Sequence, residues 1–141
     1  MRPRGAITLA ALACLGTGAL AQGQPHNAVW TNPQRSVHVR AEPCGRESPA
    51  MCGTVIWANA KAQADARRGG TDPLIGARLF QNFVPEGKSA WRGKVLVPDI
   101  NKTFSGTIIL VDAKTLRAQG CLIGRIGCKS QTWTLVDTPA R

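Results

Sequence analysis

The side chains that could do chemistry in this chain are few: two histidines, eight carboxylates, five cysteines and four tryptophans, with no tyrosine. A hydrolase or transferase needs an acid, base or nucleophile held by a partner. His26 sits in the polar segment Gln22–Asn27 and His38 on the polar side of an alternating stretch, so neither is expected to have one. Glu47, Asp72, Glu86, Asp99 and Asp112 stand in segments rich in turn residues, and turn chemistry accounts for them. No Gly-x-Ser-x-Gly elbow, His-Glu-x-x-His zinc site or phosphate-cradling glycine loop occurs. The expectation is a protein that is not an enzyme and takes no cofactor or metal. A hydrolase whose paired carboxylates meet only on folding stays as an alternative.

The cysteines say more. Cys14 lies inside an apolar run near the start, which leaves Cys44, Cys52, Cys121 and Cys128. An even number in an oxidising compartment points to disulfides, and four cysteines allow three connectivities. Cys44–Cys52 and Cys121–Cys128 are favoured, because each pair brackets a short, turn-rich segment. Closing loops this small stabilises by about 2.5 kcal/mol each on the chain-entropy model. Zinc is the rival, but its paired ligands usually stand about two to four residues apart, closer than either pair here. A redox role lacks a Cys-x-x-Cys pair.

The start of the chain names that compartment. Arg2 and Arg4 precede an uncharged apolar stretch from Ala6 to Leu20, and Ala19-Leu20-Ala21 offers the small residues a signal peptidase accepts. Cleavage is expected after Ala21, giving a signal peptide at residues 1–21 and one domain at 22–141 in the periplasm or secreted. The stretch falls short of the roughly 20 residues needed to span a bilayer, so no transmembrane segment is expected after cleavage. A lipoprotein anchor on Cys14 is the alternative, although Ala11-Leu12-Ala13 before it is not the usual approach. Removing residues 1–21 lowers the formal charge from +10 to +8, which suits anionic partners such as an envelope surface or acidic polymers. Export argues against nucleic acid, and a monomer is favoured.

The elements follow from periodicity. Ser36–Glu42 alternates polar and apolar residues and reads as a half-buried strand with Val37, Val39 and Ala41 inward. Cys52–Trp57 resumes as a strand, so the first disulfide would staple a hairpin. Asn59–Arg68 is alanine-rich with Asn59 as N-cap, a short surface helix or a loop. Further strands are expected at 74–83, 90–97, 102–111, 115–122 and 130–136, separated by turn residues. About eight strands joined by tight turns make an antiparallel meander, hence a small barrel or a strongly curled sheet.

The ordered series Leu74-Ile75-Gly76, Ala90-Trp91-Arg92-Gly93-Lys94-Val95, Lys102-Thr103-Phe104-Ser105-Gly106, Gly120-Cys121 and Cys128–Trp133, with Trp30 and Cys44–Gly53, resembles the exported bacterial family known as domain of unknown function 2147. That resemblance implies a relative of the lipocalin and fatty-acid-binding barrels: an all-β, antiparallel up-and-down barrel with an interior cavity. Two departures stand out. Ala28 replaces the glycine of the opening Gly-x-Trp, and Thr134 and Leu135 follow Trp133 where an arginine would cover the first tryptophan.

Within such a barrel a tryptophan can line a ligand cavity or plug the core. Trp91, beside Arg92, is the candidate for a cavity mouth, with Arg78, Arg92 and Lys94 as cations for an acidic head group and Trp30 as a further wall residue. The functional expectation is an exported barrel that binds a small apolar or acidic ligand in the cell envelope. The alternative is a solid barrel whose basic face meets lipid, polymer or protein.

Overall fold

Val37, Val39 and Ala41 do point inward, and the same two-residue alternation recurs around a closed sheet. The computed structural model describes residues 27–136. The signal peptide at 1–21, Cys14 and His26 lie outside the described residues. Eight antiparallel strands follow one another around the barrel, each paired with its sequence neighbour: β1 (Val29–Thr31), β2 (Val37–Pro43), β3 (Met51–Ala58), β4 (Arg78–Pro85), β5 (Ala90–Val97), β6 (Lys102–Asp112), β7 (Thr115–Ile123) and β8 (Ile126–Leu135). One helix, α1 (Ala60–Gly69), interrupts the meander between β3 and β4. Closure leaves no exposed sheet edge. The seam is short: β1 meets β8 through Trp30 opposite Leu135 and Thr31 opposite Thr134.

Leu135 therefore stands at the register position beside Trp30. The indole N–H of Trp30 is buried without a hydrogen-bond partner. Trp30, Met51, Ile108 and Leu116 fill this part of the interior, leaving a gap of only about 20 Å³ between them.

Both disulfides join the favoured pairs. Cys44–Cys52 closes the loop between β2 and β3. Cys121–Cys128 is a direct cross-strand pair, because β7 and β8 run on past it to a tight turn at Gly124-Arg125. β8 thus begins at Ile126 rather than Ser130, and the disulfide staples the hairpin instead of marking where its strands end.

β4 begins later than its sequence suggests. Leu74–Ala77 is a turn, with Ala77 donating to Leu74, and Gly76 takes a positive φ of 94° that a strand would not hold. Leu74 is nonetheless buried, so its apolarity reports packing rather than strand.

α1 forms with Asn59 as its cap, the Asn59 side chain accepting from the Ala62 N–H, and Gly70 ends it in the left-handed conformation. It is more than a surface helix. Ala66 is wholly buried, and the absence of a large apolar stripe is what lets the backbone come close. Gly69 packs directly against the backbone of Asp99 in the β5–β6 turn, and the Thr71 hydroxyl donates to the Pro98 carbonyl at 2.8 Å. The helix is thereby fixed to that turn.

Candidate functional site

Inward positions on β4 to β8 do not fill the barrel. A cavity of about 880 Å³ remains and opens to solvent. Its apolar wall includes Leu79 and Phe80 of β4, Val95 of β5, Phe104 of β6, Ala118 of β7 and Trp133 of β8. Its rim is polar and built from the β1–β2 turn (Asn32, Gln34), α1 (Lys61, Asp65) and the β5–β6 turn (Asp99). The tip of the β7–β8 hairpin completes it with Leu122 and Gly127. The Trp133 ring lies edge-on to Phe80 at 5.3 Å, and its indole N–H donates to Gln131 Oε1 at 3.3 Å. This contact orients an aromatic face at the boundary between the packed interior and the cavity.

Small residues let the sheet approach the core closely. Gly93, Gly106 and Gly120 are successive register partners across β5, β6 and β7. A Cβ on Gly93 would meet the Phe83 ring and the Gln81 carbonyl, and one on Gly106 would meet Val95. These close approaches let the sheet pack directly against Phe83, which is wholly buried.

The charges sort by strand face. Lys129, Gln131 and Trp133 share one face of β8, and all three line the cavity. Lys129 has no ion-pair partner among the described residues. Lys61, the other cavity-lining lysine, is engaged: it donates to Asp65 at 2.6 Å, and Arg68 also binds that carboxylate. The Lys61 hydrogen bond, with the Lys61 and Arg68 charges, holds the Asp65 carboxyl below its ordinary value. Among the described residues, Lys129 is the cation left free on the wall.

The residues singled out from sequence fall elsewhere. Trp91 is buried on the inward row of β5 and belongs to the core cluster rather than the cavity wall. Arg92, one residue on, faces the other side and pairs with Glu86 at 3.1 Å. Lys94 and Arg78 are exposed, and neither they nor Arg92 line the cavity. Trp30 lines only the small gap. His38 packs tilted against Trp57, ring centroids 4.6 Å apart and planes at 43°. The cavity residues missed from sequence, Lys129, Gln131 and Trp133, repeat at every second position. Gln131 and Trp133 already fell within the expected strand 130–136, and extending it back through Cys128 adds Lys129 to their row.

No group of three or more His, Cys, Asp or Glu among the described residues is arranged to hold a metal ion, and no helix there is long and apolar enough to cross a membrane. No curated protein matches the sequence. Among solved structures, the chain is similar to protein HP1028 from the human pathogen Helicobacter pylori, described as belonging to the lipocalin family. The TM-score is 0.57 at 12% identity, over 81% of this chain and 84% of that one. At this identity the likeness concerns the fold, a lipocalin-like barrel. The family described as uncharacterized protein conserved in bacteria, domain of unknown function 2147, matches residues 28–135, and this chain belongs to it.

Proposed function

We propose that the protein is exported and binds, inside its barrel, a small ligand with an apolar body and an acidic end. The observation that carries this reading is the open cavity of about 880 Å³, apolar within and polar at its rim. That volume lies inside the range of about 300–1,000 Å³ typical of small-molecule sites. A solid barrel would leave no such space. Two disulfides suit an oxidising compartment, as the signal-like start of the chain does.

Magnitudes divide the labour. Each methylene buried against Phe80, Val95, Phe104 and Trp133 contributes about 0.8 kcal/mol before the costs of association. Lys129 is exposed, so its attraction for a carboxylate is worth roughly 0–1 kcal/mol after screening by water. The apolar body sets affinity, and Lys129 sets the preference for an acid.

Titrating delipidated protein with a long-chain fatty acid is expected to quench tryptophan fluorescence saturably. Trp133→Phe should keep the binding and lose most of the quenching. Lys129→Glu should weaken the fatty acid by roughly fivefold while leaving the matching fatty alcohol unchanged. Quenching that never saturates would sink the reading, and an equal effect on acid and alcohol would remove Lys129 from it.

A further inference from the structure

The three most exposed large aliphatic side chains among the described residues are neighbours. Leu122, Ile123 and Ile126 are 68%, 76% and 74% exposed and surround the β7–β8 turn at Gly124-Arg125. Cys121–Cys128 lies immediately behind them, so the apolar tip is held on a stapled hairpin. Leu122 and Gly127 also line the cavity, which places the tip on its rim, and half-exposed Ile100 stands on the same rim. We infer that this tip docks the open end of the barrel onto an anionic lipid bilayer.

Charge selects that occupant. Around the tip, from Leu122 to Lys129, the chain carries Arg125 and Lys129 and no carboxylate. Arg125, at the very turn, is 81% exposed and approaches an acidic group, Glu86, only at 4.0 Å. Aliphatic side chains that enter the head-group boundary, with basic residues beside them, are the combination by which proteins hold an anionic membrane surface. A second copy of the chain fits less well. A stable protein interface buries about 800 Å² per partner over some 20–30 residues, and a two-residue turn with three aliphatic side chains presents far less. A bilayer asks for no complementary shape.

Docked in this way, the cavity would open beside the acyl chains, and a ligand could pass between membrane and barrel without crossing bulk water. The docking does not depend on the cavity being filled, so the two readings can fail separately. Co-sedimentation with phosphatidylglycerol vesicles and with phosphatidylcholine vesicles tests it. The wild-type protein should bind the anionic vesicles and bind the zwitterionic ones at least about tenfold more weakly. Ile123→Asp with Ile126→Asp should lose binding by at least about tenfold, with melting temperature and fatty-acid titration unchanged. Arg125→Gln, which leaves the aliphatic groups in place, should lose about fivefold. Wild-type protein that stays in the supernatant, or a double variant that binds as well as wild type, overturns the proposal. So does a wild-type dimer that the double variant converts to a monomer, since a second copy would then cover the tip.

Discussion

Phe83→Ala is expected to destabilise the barrel by about 3–5 kcal/mol, the cost of deleting a buried aromatic ring that nothing refills. Phe83 is wholly buried, and its ring lies edge-on to Phe80 with centroids 5.9 Å apart. Its other neighbours give the large value. The ring fits because Gly93 and Gly106 carry no Cβ, and a glycine has no side chain with which to refill the hole. The loss is a large share of the roughly 5–15 kcal/mol typical of a domain. Urea denaturation of the variant checks it. A cost under about 1.5 kcal/mol would mean that the sheet collapses onto the space and that the glycine row does not depend on the ring.

Gly69→Ala is the second, and its sign is the point. Alanine is favoured over glycine inside a helix by about 1 kcal/mol, so propensity alone predicts a more stable protein. The added methyl, however, would fall on the Asp99 backbone in the β5–β6 turn. That neighbour is main chain and cannot rotate away. Overpacking of this kind costs about 1–3 kcal/mol, and the upper part of that range applies where backbone must move. A net loss of about 1–2 kcal/mol is expected, together with a displaced rim, since α1 and Asp99 both border the cavity. Equilibrium unfolding decides the matter: a variant more stable than wild type would show that α1 is not held against that turn.

The elements that were legible in the sequence are those whose signals are local. The alternation of Val37, Val39 and Ala41, the Asn59 cap and the short spacing within each cysteine pair all act over a few residues. β5 was readable to the residue because Pro98 and turn residues bound it. The candidate site was not legible, and Trp91 with Arg92 shows why. On β5 the two face opposite sides, Trp91 into the core and Arg92 out to Glu86, so this neighbouring aromatic and cation share no cavity wall. Lys129 and Trp133, four residues apart, do. Which inward positions fill the barrel and which line the open end depends on the closure of β1 against β8 and on the packing of Phe83 under Gly93 and Gly106. Those contacts join distant parts of the chain, and no local pattern records them. The hairpin tip is a milder case: the expected strands stop at Leu122 and resume at Ser130, so Ile123 and Ile126 fall in the connection between them, whereas β7 and β8 run on to a turn at Gly124-Arg125.

If the space within the barrel binds a ligand, native mass spectrometry of delipidated protein mixed with hexadecanoic acid shows it as a mass adduct. Ala118 lies on the cavity wall between Ile108 and Gln131 in register, so Ala118→Trp puts an indole into the space a ligand would use. Wild-type protein is expected to carry one fatty acid per chain, and the folded Ala118→Trp variant none. Wild-type protein without an adduct, or the same adduct on both proteins, would contradict the account.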